Sequence, residues 1–342
     1  MKKLLSMILI LTLTFALGAR AEEPEKASVG NALGFAVLEG LCDGTENQIL
    51  SPVSLTYALA MAAQGAQGDT KQEILDALGV EDLSWASEQL ASLADAGLKQ
   101  ANAAFLLQGE ARQDYIEALQ AAFDAQWIVP DGGVADAVNA WVSEHTGGLI
   151  DKMLNEEPDP NTMLMLLNAV AMDARWRLPF LEKATNEDVF HMPAGDVIAP
   201  FMHQTSMMDY GERDGVKMIR LGYLDSTLEL LVALPEEGGL QEVLAGLREE
   251  GLEYFRFDED PSEVVLSMPK MDISADNVLN EILIAQGVQT AFGAGADFSG
   301  IANEDLFISQ VRQKARVIFD EDGTEAAAAT EVAVPARAAN PA

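Results

Sequence analysis

Cysteine is all but missing: the 342-residue chain has one, Cys42. A lone thiol closes no internal disulfide, so the fold must be held by its core. Cys42 follows Leu38 and Leu41 on a helix-like stretch and reads as a packing residue, not a nucleophile. Histidine is scarce. None of His145, His191 and His203 has a second His or a Cys at metal-ligand spacing, so no metal site is implied. A G-x-S-x-G elbow, a P-loop and a G-x-G-x-x-G turn are all lacking. Positive charge is short: 21 Lys and Arg face 55 Asp and Glu, a net charge of −34. Such a field repels nucleic acid and anionic membranes and favours solubility. Carboxylates are so widespread that no acid pair stands out as a catalytic dyad. Nothing here supports an enzyme, and no cofactor is called for.

What is present is apolar. Hydrophobic residues make up 49% of the chain, enough for a large core. Helix-like and strand-like stretches follow one another without a Pro/Ser-rich linker, which indicates one large domain. The N-terminus stands apart. Met1-Lys2-Lys3 is a basic start, Leu4–Leu17 an apolar run, and Ala19-Arg20-Ala21 a small-x-small cleavage site. This pattern is that of a bacterial secretory signal peptide, residues 1–21, cut after Ala21. The run is short for a membrane anchor, and no Cys follows to carry a lipid. Its removal takes away Lys2, Lys3 and Arg20 and leaves the mature chain, 22–342, at −37. Secretion to the extracellular space is expected.

Along the chain, periodicity predicts a helix over 27–41. Ser51 caps a second, with Pro52 at its first turn and Gly65 near its end. Thr70-Lys71-Gln72-Glu73 reads as a capping box for a short helix closed by Gly79. A strand over 103–107 and a helix over 113–123 follow. The second half turns to strands at 163–172, 227–234, 264–268, 306–311 and 315–319, with a helix over 277–286. Helices first and strands later give an α+β domain with large sheets.

The chain ends "FDEDGTEAAAATEVAVPARAANPA". By propensity alone, four consecutive alanines favour a helical or disordered tail. Neighbouring stretches point elsewhere. "LSPVSLTYALAMAAQGAQGDT" at 50–70, "NAWVSEHTGGLI" at 139–150 and "LNAVAMDARWRLPF" at 167–180 resemble serpin segments. So do "FMHQT" at 201–205, "LVALPEEG" at 231–238, "LSMPKMDI" at 266–273, "ADFSGI" at 296–301 and "DEDGTEAAAAT" at 320–330, in that order.

The resemblance covers nearly the whole mature chain. It implies the serpin fold: large mixed sheets, about eight or nine helices, and an exposed reactive loop near the C-terminus, about 321–342. In that family the loop is bait and, once cleaved, enters the large sheet as a strand, a switch that releases stored strain. Glu321, Gly323, Thr324, Glu325, Ala326, Ala327, Ala328, Ala329 and Thr330 would be its hinge. An entering strand must slide between packed neighbours, so small residues suit its inner face. Thr324, Ala326, Ala328 and Thr330 alternate onto one face. Glu325 and Glu331 fall on the other and are expected to stay wet, while Gly323 would supply freedom where the chain turns outward. Small residues distinguish an inhibitory hinge from that of a serpin-fold binding protein, the competing reading.

Counting fourteen residues from Gly323, as the family does, places the scissile bond at Arg337–Ala338. An Arg there suits the acidic pocket of a trypsin-like serine protease, the expected covalent partner. A shift of one to three residues would put Ala336 or Val334 at the bond and turn the target elastase-like. A cysteine protease is a further alternative. Ser51, Ser54 and Asn168 match the family's polar cluster under the opening sheet, with Gln313 where a His is common. Trp176 matches the Trp near loop entry. The heparin-binding helix of some serpins corresponds to 81–99, where Lys99 is the only base, so no heparin binding is expected. The protein is expected to be monomeric. The family continues past the bond into strands that complete two sheets, whereas this chain stops five residues after Arg337. By resemblance it is C-terminally incomplete, and a truncated, inactive product is the third reading.

Overall fold

The computed structural model describes residues 29–192, 195–236 and 238–336. The expected signal peptide, residues 1–21, and the expected scissile bond, Arg337–Ala338, lie outside them. The first half carries helices α1 (Asn31–Leu41), α2 (Pro52–Gly65), α3 (Gly68–Leu78) and α4 (Ala86–Asp95). Strand β1 (Lys99–Leu106), α5 (Gln113–Phe123), β2 (Ala125–Ile128) and α6 (Val134–His145) follow. Then come β3 (Thr162–Arg175), β4 (Asn186–Phe190), β5 (Val197–Arg213), β6 (Val216–Gly222) and β7 (Glu229–Leu234). The chain continues with α7 (Leu240–Glu250), β8 (Ser262–Pro269), β9 (Met271–Val278), α8 (Asn280–Ala285), β10 (Gln310–Phe319) and β11 (Gly323–Pro335).

Six strands make the larger sheet, in the order β2-β1-β3-β11-β10-β9. Only the β1–β2 pair is parallel. The smaller sheet runs β4-β5-β6-β7, with β8 also paired to β5. β3 is buried from Thr162 through Met172. A strand buried on both faces reads as a continuous apolar run, not an alternating one. One face of the larger sheet meets the main core, including nearly all of α2. The other meets a smaller apolar cluster built by Val138, Trp141 and Val142 of α6 with Ile150, Met153 and Leu154.

Helix α2 starts as expected. The Ser51 side chain accepts a hydrogen bond from the Ser54 amide at 3.2 Å, and Pro52 occupies the first turn. Gly79 closes α3 in the left-handed region at φ 73°. The capping box does not form, because α3 begins earlier, at Gly68. Thr70 instead accepts from the Asp297 amide, and Glu73 accepts from the Gln289 and Thr290 amides and the Thr290 hydroxyl. A distant turn competes for the carboxylate and wins. Residues 277–278 belong to β9, so the helix expected over 277–286 shrinks to α8. The two strands expected between 306 and 319 become one strand, β10, with Leu306 in a single bridge to Ala336.

The main difference lies at the end of the described chain. Residues 323–335, expected as an exposed loop, are strand β11 in the middle of the larger sheet. β11 pairs antiparallel with β3 on one side and β10 on the other. Both flanking strands have their backbone groups satisfied by this pairing, as a buried sheet requires. The alanines adopt the extended form against their propensity because tertiary pairing and burial outweigh it.

Candidate functional site

The site is the slot that holds β11, in three parts: entry, middle and outer face. At the entry, Gly323 lies against Arg175, and a Cβ built there would sit 2.2 Å from the Ala174 carbonyl oxygen. Glycine is required here by close approach, not by an outward turn. Trp176 stands beside it between two rings, Tyr223 at 4.8 Å and Phe319 at 6.1 Å, both nearly parallel. Its indole Nε1 donates to the Asp320 carbonyl at 2.9 Å and its amide to the Asp322 carbonyl at 2.8 Å. The Tyr223 hydroxyl meets the Thr324 hydroxyl at 2.7 Å. Glu321 closes the turn before the strand. Its carboxylate takes Lys270 Nζ at 2.5 Å and the Thr185 hydroxyl at 2.7 Å. Burial works against its charge, but these donors hold the carboxyl below its ordinary range.

In the middle, the strand meets a buried polar chain. Gln313 Nε2 donates to Thr330 Oγ1 at 2.8 Å, so the Thr330 hydroxyl is free to donate to Ser54 Oγ, also 2.8 Å away. The Ser54 hydroxyl in turn donates to the Asn168 carbonyl at 3.4 Å. Gln313 also clasps the Ser51 backbone, accepting from its amide at 2.7 Å and donating to its carbonyl at 3.0 Å. Asn168 Nδ2 reaches Asn102 Oδ1 at 2.8 Å, and Asn102 Nδ2 reaches the Phe123 carbonyl at 2.7 Å. Ser51, Ser54, Asn168 and Gln313 thus meet at one place, with Thr330 from the strand completing it. All five are buried. A glutamine fills this position well because it both donates and accepts.

Along β11, Thr324, Ala326, Ala328, Thr330, Val332 and Val334 alternate with Glu325, Ala327, Ala329, Glu331 and Ala333. Ala326 and Ala328 pack in the main core, Ala327 and Ala329 in the cluster under α6. Glu325 is exposed. Glu331 is not wet: it is only 2% exposed, opposite Leu167 and Arg312. The expectation fails because this face is not solvent: α6 and the segment after it cover it. Burial pushes the Glu331 carboxyl up to about 7.

Sequence reasoning missed Tyr223, Lys270, Thr185 and Asn102. Lys270 lies inside a quoted motif, but no local pattern announces its distant acidic partner. The three histidines stay apart. His145 stacks on Trp141 at 4.3 Å, and His191 contacts Asp196 at 2.8 Å. Among the described residues no group of His, Cys, Asp and Glu is arranged to hold a metal. Cys42 is half-buried, with its thiol pushed up to about 11, chiefly by burial.

A six-stranded sheet with β11 set between β3 and β10 over a buried polar chain defines a particular class. The family model "Serpin (serine protease inhibitor)" matches residues 28–342. The chain belongs to the serpin family. It is 33% identical over 319 residues to an uncharacterized serpin-like protein of Thermococcus kodakarensis, covering 88% of this chain and 74% of the other. Among solved structures it is similar to cleaved Serpin 42Da, with a TM-score of 0.84 and 26% identity over 91% of this chain and 90% of that one. It is also similar to reactive-loop-cleaved human thyroxine-binding globulin, with a TM-score of 0.82 and 25% identity over 90% and 98%.

Proposed function

We propose that this protein is a secreted, suicide-type inhibitor of serine endopeptidases, cleaved at its own Arg337–Ala338 bond by a trypsin-like enzyme. One observation carries the reading. The first seven residues of β11, Gly323–Ala329, bury only Gly, Thr and Ala between β3 and β10, and the one long side chain among them, Glu325, is exposed. In the proposed sequence, the protease serine attacks the Arg337 carbonyl, the Arg337–Ala338 bond breaks, and an acyl-enzyme ester forms. Insertion of β11 then carries the ester across the sheet. The protease loses the ordered oxyanion hole that deacylation needs. Residues of this chain do no chemistry; they supply the bait and the slot.

The test is a gel. The chain is mixed with trypsin and run under denaturing conditions. A covalent band that disappears in Arg337→Ala supports the reading and locates the bond. A band that persists with elastase but not trypsin moves the bond to Ala336 or Val334.

A second reading, a serpin-fold binding protein, has its own support. The likeness to thyroxine-binding globulin extends to its cleaved form, so insertion need not mean inhibition. A cavity of about 320 Å³, lined by Leu38, Ile49, Leu244, Phe190 and Met271 among others, would suit a small apolar ligand. Clean cleavage by every protease tried, without a covalent band, favours this reading.

A further inference from the structure

Glu331 is the one acidic residue of β11 that the sheet buries. Its Oε2 is fully enclosed and has no hydrogen-bond partner. Cations are near but engaged elsewhere. Arg312, directly opposite on β10, is held by Asp276 of β9 through two contacts of 2.6 Å. Lys314, also on β10, lies 3.3 Å from Asp276 and donates to the Lys152 carbonyl at 2.8 Å. On the other flank, β3 offers Leu167 opposite, with Met165 and Ala169 on the same face. The covering layer offers Val138, Trp141, Ile150, Met153 and Leu154. Its charged residues in that segment, Asp151 and Lys152, are exposed. The charges acting on the Glu331 carboxyl are therefore Arg312 and Lys314, which favour ionisation, and Asp276, which opposes it.

A buried carboxylate without a committed partner is costly, and such a group takes up a proton instead. Outside the sheet the same side chain would be solvated and ionised at neutral pH. We propose that Glu331 is a pH gate on strand insertion: β11 seats fully when this carboxyl is protonated, so mild acid favours the inserted sheet and neutral-to-alkaline conditions oppose it. This rests on the reading of 323–335 as a segment that moves between exposed and inserted states.

The sign follows from linkage. Inserted, the carboxyl titrates near 7; exposed, it titrates at its ordinary value of 4.5. Below that ordinary value it is neutral in both states and insertion bears no penalty. The penalty grows as pH rises from there towards 7 and is constant above. Over that window the insertion equilibrium weakens on the order of a hundredfold. Asp276 sets the size of the effect by occupying Arg312. The first seven residues of the strand carry no such group in the core, so the gate acts late, at the second half of insertion.

The experiment compares wild type, Glu331→Gln and Glu331→Ala. The full chain is nicked in the loop by trace thermolysin, a metalloprotease that forms no acyl-enzyme, the protease is removed, and thermal unfolding is followed from pH 4.5 to 8.5. The wild type should match Glu331→Gln at the acidic end and fall progressively below it up to about pH 7, while Glu331→Ala runs parallel to Glu331→Gln throughout. Parallel profiles for all three would overturn the gate. A second measurement separates this from the inhibitor reading: moles of inhibitor consumed per mole of trypsin trapped, as the ratio of variant to wild type at each pH. Taking the ratio cancels the protease's own pH dependence. It should be below one at pH 8 and closer to one at pH 5.5. Covalent complexes with a pH-independent ratio and parallel melting profiles overturn the gate and leave the inhibitor standing. Diverging melting profiles without any covalent complex keep the gate and remove the inhibitor.

Discussion

Thr330→Val tests whether the polar chain under the sheet acts on the inserted state alone. Thr330 accepts from Gln313 Nε2 at 2.8 Å and faces Ser54 Oγ at 2.8 Å, in a fully buried setting. Valine has nearly the same shape and no hydroxyl. The change removes two near-ideal hydrogen bonds. Gln313 Nε2 is left with the Ser51 carbonyl, and Ser54 Oγ with the Asn168 carbonyl at 3.4 Å. At about 1 kcal/mol net for each bond, the loss is ~2 kcal/mol. Unfolding entropy near 2.1 cal/mol/K per residue, over a chain of this size, converts that to a fall in Tm of about 3 °C. The fall should occur in the loop-nicked, inserted protein. The intact protein with its loop outside should be unmoved, because the hydroxyl then has only water as partner. Differential scanning calorimetry on both forms reads this directly. Ser54→Ala should couple to it: the double variant should lose less than the sum of the singles by about 1 kcal/mol. Equal shifts in both forms, or strict additivity, would refute the account of Thr330 as the keystone of the cluster.

Three further outcomes follow from the entry of the slot and from its floor. Gly323→Ala places a Cβ against the Ala174 carbonyl oxygen. It should destabilise the inserted form by about 1–3 kcal/mol and lower the yield of covalent complex without slowing cleavage of the loop, read on one gel series. Glu321→Gln weakens the contact to Lys270. Because this carboxyl sits below its ordinary range, the stability it gives is present above that range and is lost as pH falls through its folded value. The Tm gap between wild type and variant should therefore close in acid, below the ordinary carboxylate range, opposite in sense to Glu331. Ala328→Lys puts an unpaired charge where the side chain is 2% exposed. It should convert an inhibitor into a substrate, seen as full loop cleavage with no covalent band.

Much of this architecture was legible in the residues, and the failures have a common cause. Helix α5 and the buried run of β3 are signalled by local periodicity, and their sheet context agrees with it. The capping box at 70–73 is equally well formed as a local signal, yet the turn at 289–290 takes Glu73 away. The alternation along β11 correctly assigned Ala326 and Ala328 to one face. It could not say that the opposite face is roofed by α6, and so it left Glu331 in water. The polar cluster gathers residues 51, 54, 168, 313 and 330, which no sequence spacing brings together. Only the resemblance assembled most of it. Tyr223 and Lys270 carry no local mark of their roles, because their partners lie 101 and 51 residues away.

The ring stack at the entry has an optical consequence. Trp176 is one of four tryptophans, and its environment is partly built by Asp320 and the start of β11. Its indole proton rests on the Asp320 carbonyl, and the ring against it is tied to Thr324 through the Tyr223 hydroxyl. Trp85, Trp127 and Trp141 sit at the start of α4, on β2 and in α6, away from this corner. Withdrawal of the strand would free the tyrosine and admit water to one edge of the indole. Emission from Trp176 should then shift to longer wavelength while the other three stay constant. With those three replaced by phenylalanine, the protein would carry a built-in gauge of strand position, readable in real time and without a label.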